Sequence, residues 1–382
     1  MIYLDNAATT QVDYEVMQEA VKAMIDAYGN PSSLHDAGRA AEKIVDDARS
    51  RIAKCINAFP DEIIFTAGGS EADNLALRGV TPLLKKNGKT TIITSSIEHH
   101  AVLNTCKELE NYGMKVIYMP VDGDGRVDIE ELEKIMIKYK DTLGLVSIMA
   151  VNNEIGSIQL IDDIGDLCQE HGVLFMTDAV QAFGHIKIDV NESHIDLMAL
   201  SGHKIHAPKG IGILYVRRGV KLSPMIVGGG QEFNLRAGTE NVPGIAAMAK
   251  AMEIANQSRD YLQNVYMAYR KAFFRELDSL GVTYVTNGEC GVPSIISLTL
   301  PGCESEAMLL LLNEKGICVS AGSACTAGSL EPSNVLRALY LEDHDASCTI
   351  RISMGSHNSG NDMIDAAQAI AASVAQLRAM MQ

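Results

Sequence analysis

The sequence predicts an α/β protein with a large, mostly parallel sheet domain over residues 14–255 and a smaller α+β domain made of residues 1–13 and 256–382. Three observations carry this. From Ile63 onward short apolar runs alternate with amphipathic helical stretches, the pattern of a parallel sheet covered on both faces. A long helical region, about 242–280, then gives way to a more mixed succession of strands and helices. The 382 residues, 47% of them hydrophobic, are enough to bury more than one core.

The N-terminal YLDNAATT is small and polar after one apolar step, and helices are expected over about 14–27 and 35–56. The second carries Ala37, Ala41, Ile44, Val45, Ala48 and Ile52, a stripe at helical spacing that faces a core. Strands IIF, TIITS, KVIYMP, LGLVSIMAV and VLFMTD then alternate with helices over 70–84, 100–111, 129–139 and 161–171. The apolar runs Leu197 to Leu200 and Gly212 to Val216 follow. Beyond the long helix come VTYVT, SIISLTL, a helix over 306–315, ICVS, a loop, a helix near 335–341, TIRIS and a terminal helix. Asp122, Asp124, Asp128, Glu130 and Glu133 approximate a calcium-loop spacing, but Val127 stands where glycine is needed and Arg126 where a ligand is needed, so a turn and a helix cap are expected instead.

Charge narrows the function. With 32 basic and 48 acidic residues the net charge is −16, and the basic residues form no long run, so direct nucleic-acid binding is not expected, although a transient complex with RNA held by a partner stays open. No apolar run approaches the roughly 20 residues needed to cross a bilayer, and MIYLDNAATT has no basic region followed by an apolar core, so a cytoplasmic enzyme without membrane contact is expected. None of the eight cysteines forms a C-x-x-C pair, which suggests neither a zinc site nor a disulfide framework.

The chemistry centres on DLMALSGHKIHAPKG, Asp196 to Gly210. Its apolar run ends in Ser201 and Gly202, which deliver Lys204 just past the strand, where open α/β sheets hold their ligands. A lysine so held can be desolvated and made nucleophilic, although taken alone the stretch also fits an exposed lysine beside Lys209. Upstream, VLFMTDAVQ sets Asp178 at a strand end with Gln181 three residues on. Such a carboxylate often closes a turn, but one followed 26 residues later by a lysine at another strand end is what pyridoxal phosphate chemistry requires. The lysine forms the Schiff base, the carboxylate keeps the pyridine nitrogen protonated, and Gln181 is a donor for the phenolic oxygen. In TAGGSEADN two glycines open the backbone and Ser70 is a candidate cap, with Glu71 and Asp73 in the first turn. That helix start suits a phosphate, as does any capped helix that follows a strand.

These segments, together with GNPSSLH (29–35), EHHAV (98–102), VNNEIG (151–156), RAGTEN (236–241) and SAGSACTAGSLEPS (320–333), resemble the cysteine desulfurases of the NifS/IscS type, in order over nearly the whole chain. These are pyridoxal phosphate enzymes of aminotransferase-like fold (class V, fold type I). The resemblance implies pyridoxal 5'-phosphate as cofactor and L-cysteine as substrate. Gly69, Ser70, Ser201 and His203 match the phosphate-binding positions; His99 matches the histidine that stacks on the ring and takes part in proton transfer. Asn153 matches the contact to the phenolic oxygen, and Arg351 the arginine that pairs with the substrate carboxylate, with Asn153 assisting. Thr239 matches the threonine that reaches the phosphate of the neighbouring subunit, which implies a homodimer.

Cys325 lies in a stretch of small polar residues without apolar periodicity, read as a mobile loop over about 320–333. A lone loop cysteine is as often an incidental thiol. In a desulfurase its thiolate attacks the substrate's sulfur, leaving alanine and a persulfide, which the loop carries to an acceptor: an iron–sulfur scaffold or a tRNA-thiolating enzyme. The same cofactor set would serve a selenocysteine lyase, an aminotransferase or a catalytically weak assembly protein. Departures from the family pattern fall at Phe233 and Asn234, at Ser356, His357 and Asn358, and at Ala207; they leave the cofactor set intact and alter the rim. The sequence is also expected to lack the C-terminal extension that some relatives use to dock a scaffold.

Overall fold

The structure, a computed structural model, describes residues 1–288, 290–322, 333–339 and 341–380. Strand β1 (Ile2–Tyr3) precedes helices α1 (Tyr14–Asp26) and α2 (Asp36–Cys55). Both helices begin on a side-chain acceptor: Asp13 takes the Glu15 amide and His35 the Gly38 amide, which satisfies donors that have no partner within the helix. Strands and helices then alternate through β2 (Ile63–Thr66), α3 (Gly69–Lys86), β3 (Thr91–Ser95), α4 (His100–Asn111), β4 (Lys115–Met119), α5 (Ile129–Lys138), β5 (Leu143–Ser147), α6 (Ile161–His171), β6 (Leu174–Asp178), β7 (Leu197–Ser201) and β8 (Gly212–Val216). The acidic stretch before α5 is a turn and a cap, as expected. Asp122 accepts the amides of Asp124 and Arg126, and Asp128 that of Glu131.

One sheet takes in seven of these strands, in the order β2-β8-β7-β6-β5-β3-β4. β8 runs against both neighbours and every other pair is parallel, so six strands bring their carboxyl ends to one edge. Every residue of β2, β3, β5, β7 and β8 is buried, which explains why these strands read as continuous apolar runs rather than alternating ones. β3 has β4 on one side and β5 on the other, so the chain reverses its direction across the sheet there, the arrangement that opens a crevice at the strand ends.

The 38-residue helix α7 (Val242–Ser279) is followed by β9 (Val285–Asn287), β10 (Ile295–Thr299), α8 (Ser305–Glu314), β11 (Ile317–Cys318), α9 (Asn334–Ala338), α10 (Asp343–Ser347), β12 (Thr349–Ser353) and α11 (Gly360–Met380). β12, β10 and β9 form an antiparallel sheet, and β1 pairs in parallel with β11 through Ile2 with Ile317 and Tyr3 with Cys318. Leu4 is fully buried in a separate apolar cluster with Phe273, Leu298, Met308, Ile352 and Ile370, while Val242 to Met252 of α7 pack into the core beside the large sheet.

Two expectations need correction. The strand expected over LGLVSIMAV ends at Ser147, because the Met149 amide turns to the Glu98 carboxylate, although Ile148 and Ala150 still bond to Met176 and Asp178 on β6. Helix α10 was absent from the sequence reading because EDHDAS has no apolar period. Leu4→Ala should destabilise the protein by about 2–5 kcal/mol, the usual cost of a buried leucine, as measured by denaturant unfolding; a change near zero would show that the N-terminal segment is not held by this core.

Candidate active site

At the carboxyl ends of β2, β3, β6 and β7 lies a cavity of about 620 Å³. Lys204 enters it from a single 3₁₀ turn, Gly202–Lys204, directly after β7. Gly202 is required there: a Cβ would lie 2.9 Å from Ile211 and 3.0 Å from Ala207. With its amide bonded to the Ile211 carbonyl, the turn is clamped between two buried strands. The Lys204 ammonium donates to the carbonyls of Ala7 and Ala8, the latter at 2.9 Å, and the Gln181 side-chain amide donates to the Ala7 carbonyl at 2.6 Å. The N-terminal segment therefore forms one wall of the cavity.

Asp178, the last residue of β6, is buried and accepts the Val180 amide at 2.9 Å. Burial raises its pKa to about 6, while the Val180 hydrogen bond and the positive charge of Lys204 pull the other way. His99 caps α4, its Nδ1 accepting the Ala101 amide at 3.1 Å, so the proton of the neutral ring sits on Nε2. Burial, then the charge of Lys204, lowers its pKa to about 4. Burial and the charges of Lys204 and Lys209 do the same for His203, whose Nδ1 lies 3.2 Å from the Thr9 hydroxyl. Both rings are neutral at pH 7.

Helix α3 starts with Gly68 at its N-cap and no side-chain cap, so its first amides keep no side-chain partner at the cavity wall. Ser70 is thus not the cap proposed from sequence; it lies inside the first turn. Glu71 instead secures the helix start, accepting the Ala67 amide at 3.0 Å and Arg236 at 2.8 Å. Beside this start the Ser201 hydroxyl is buried with no hydrogen-bond partner, and its Cβ lies 3.5 Å from where a Cβ on Gly69 would stand. Orphaned hydroxyl and uncapped amides together make a cradle whose donors fit a phosphate.

Across the cavity Arg351 on β12 is 2% exposed; it pairs with Asp5 at 2.8 Å and donates to the Asn153 carbonyl at 2.9 Å, while its Nε has no partner. Asn153 reaches the cavity from a turn between Val151 and Ile158, just past the LGLVSIMAV run. Gly69, Ser70, His99, Asn153, Asp178, Gln181, Ser201, His203, Lys204 and Arg351 all line this one cavity. Thr239 does not; it is exposed, three residues past Arg236. Cys325 and most of its loop lie outside the described residues. Sequence reading missed Asp73, buried in the cavity wall, and Glu98, buried beside it; acids among apolar and small residues at a helix start and a strand end were the available signal.

A family model for class-V aminotransferases matches residues 2–366. The chain belongs to the class-V aminotransferase family. It is 46% identical over 98% of its length to a putative cysteine desulfurase IscS 1 of Bacillus subtilis, covering 99% of that protein. It is 42% identical over 99% of its length to a cysteine desulfurase IscS of Methanosarcina thermophila, covering 93% of it. Among solved structures, a NifS-like protein matches 97% of this chain and 98% of its own with a TM-score of 0.90 at 38% identity. SspA in complex with cysteine matches 94% and 100% with a TM-score of 0.82 at 36% identity.

The departures of this class-V chain at the rim have local partners. Glu232, Phe233 and Asn234 have φ of 46°, 55° and 65°, a left-handed run that costs energy in residues with a Cβ. The run is held by a buried, two-pronged ion pair in which Arg49 donates to both oxygens of Glu232 at 2.8 and 2.9 Å. The guanidinium lies 4.6 Å from the centre of the Phe65 ring and 5.0 Å from that of Phe233. At the other departure, Ser356 bonds the His206 ring at 3.3 Å and the His206 and His357 rings meet edge-on at 5.4 Å. Arg49→Ala should cost about 3–5 kcal/mol in denaturant unfolding, because Glu232 is left charged and buried; a loss below 1 kcal/mol would show that the pair does not hold the run.

Proposed function

We infer that the protein is a cysteine desulfurase that holds pyridoxal 5'-phosphate in the cavity and converts L-cysteine to L-alanine, the sulfur passing to the Cys325 thiolate as a persulfide. The observation that carries this is the meeting of Lys204, Asp178 and Arg351 in one cavity, delivered by the ends of β7 and β6 and by β12. The uncapped start of α3 at Gly69 and Ser70, with Ser201 and His203, is the cradle for the phosphate, Asp178 the partner of the pyridine nitrogen and Lys204 the point of attachment. Bound there, pyridoxal phosphate supplies an electron sink for the bonds at the substrate's α-carbon.

The side chains divide the remaining work. Asp178 would keep a proton on the ring nitrogen of a bound cofactor, because the Val180 amide and Lys204 favour its charged form. Neutral His99 lines the site with a proton on Nε2 to donate, and Gln181 and Asn153, in the wall of the same cavity, would serve the phenolic oxygen of a bound cofactor. Arg351 binds the substrate carboxylate through its free Nε edge, the other edge staying with Asp5 and the Asn153 carbonyl. The chain's own residues thus fix the substrate's carboxylate and amine ends, leaving its sulfur for Cys325.

The assembly is proposed to be a homodimer, with Thr239 reaching the neighbouring phosphate. Support comes from α1, whose outer face exposes Tyr14, Met17, Val21, Met24 and Ile25 at helical spacing, continued by Tyr28. The division into a sheet domain, 14–255, and a small domain, 1–13 with 256–382, is supported by the separate apolar clusters. The proposed place of action is the cytoplasm; no helix among the described residues is long and apolar enough to cross a membrane. The persulfide's acceptor is proposed to serve iron–sulfur cluster assembly or tRNA thiolation.

Cys325→Ala should abolish release of sulfide from L-cysteine while leaving the cofactor's visible absorbance unchanged; full retention of sulfide release would overturn the role of Cys325. Met24→Glu combined with Ile25→Lys should shift the protein towards monomer in sedimentation velocity, and an unchanged sedimentation coefficient would overturn the assignment of this face.

A further inference from the structure

Three buried carboxyl groups lie at and beside the cavity, where a single charge suffices. Asp73 comes from the second turn of α3, Glu98 from the turn after β3 and Asp178 from the end of β6, and they are 1%, 2% and 5% exposed. Asp73 and Asp178 line the same cavity. Glu98 is tied to the strand beside Asp178: one of its oxygens accepts the Met149 amide at 2.9 Å, and the next amide but none between, that of Ala150, bonds the Asp178 carbonyl. The same Glu98 oxygen takes the Ser95 hydroxyl at 2.6 Å.

The three acids are supported differently: Glu98 takes two donors on one oxygen, whereas only Asp178 has a positive charge beside it. Asp178 has the Val180 amide and the nearby positive charge of Lys204. Glu98 Oε2 and Asp73 Oδ1 are buried with no hydrogen-bond partner, and among the described residues neither acid forms an ion pair with a lysine, arginine or histidine. A buried carboxylate oxygen without a donor is costly, whereas a protonated one is itself a donor. Like charges buried together cannot all ionise. The titratable groups facing the three acids are Lys204 and His99 at the cavity and Cys106 on α4, whose thiol burial pushes up to about 12 and keeps neutral.

We propose that Asp73 and Glu98 are positioning residues, two neutral carboxylic acids packed behind Asp178 so that the cluster carries one negative charge and Asp178 bears it. The role in catalysis rests on the cavity being a pyridoxal phosphate site; the protonation states do not. Held in this way, Asp178 presents an undivided charge to the ring nitrogen. An ionised neighbour would compete for that nitrogen's proton and for the charge of Lys204. Burial raises both acids, Glu98 to about 8 and Asp73 well above the carboxylate range, with the charge of Asp178 adding to each.

Infrared difference spectroscopy against Asp73→Asn and Glu98→Gln tests the proposal on apoprotein and on protein loaded with pyridoxal phosphate. At pH 7 the unmodified protein should show two carbonyl stretches of protonated carboxylic acids, one missing in each variant, and the Glu98 band should fade as pH rises through about 8. Since an acid raised on folding gives stability that is present below its ordinary value and lost as pH rises through its folded value, Glu98→Gln should flatten the fall in unfolding temperature between pH 5 and 8. In the loaded protein both amide variants should keep the titration midpoint of the visible band, because they replace neutral groups, while Asp73→Ala shifts it. Absence of either acid band at pH 7, or a midpoint moved by about one unit or more in an amide variant, overturns the proposal. If the protein takes up no pyridoxal phosphate while both acid bands are present, the protonation states stand and the cofactor reading fails.

Discussion

The grip of the N-terminal segment on both halves of the molecule is the constraint from which the site follows. Over a few residues Tyr3 pairs with Cys318, Leu4 fills the second apolar cluster, Asp5 binds Arg351, Ala7 and Ala8 accept Lys204, and Thr10 donates to the His203 carbonyl while its own amide does the same. One short segment, a two-residue strand running into a turn, thus fixes the distance between the sheet that carries Lys204 and the sheet that carries Arg351. Backbone carbonyls make a suitable clasp because they hold an ammonium without adding a countercharge that would compete with Asp178.

Burial then sets the charges. His99 and His203 are neutral because water is excluded and Lys204 stands close, and among the buried acids Asp178 is the one whose charged form Lys204 favours. Such a site is prepared for charge before a ligand enters, with little left to reorganise. The cost is paid in buried polar groups, the Ser201 hydroxyl and the Arg351 Nε among them, that lack partners within the chain. Those orphans sit where phosphate and substrate carboxylate would be received.

The rim follows a different logic. The left-handed run at Glu232 to Asn234 is an unfavourable backbone conformation that persists because Arg49 locks Glu232 from beneath and two aromatic rings enclose the guanidinium. Phe65 belongs to β2, so the large sheet itself anchors the segment that leads to Arg236 and Thr239. At the opposite rim the histidines at 206 and 357 and the serine at 356 form a contact set of their own.

Strands buried on both faces left continuous apolar runs in the sequence, and the small residues ending them marked where Lys204 and Asp178 would emerge; periodicity and strand-end chemistry therefore determined the sheet and its two central residues from sequence alone. Ser70 was misread as a cap because a serine at a helix start has the same local pattern whether it precedes the first turn or lies within it. The end of β5 was misjudged because only a long-range partner, Glu98, draws the Met149 amide out of the ladder. Asp73 and Glu98 carried only a weak local signal, acids among apolar and small residues, since what makes them unusual is the company they keep across three elements. Burial, shared protons and the clasp on Lys204 depend on groups distant in sequence meeting in a space without water, and only the tertiary structure decides that.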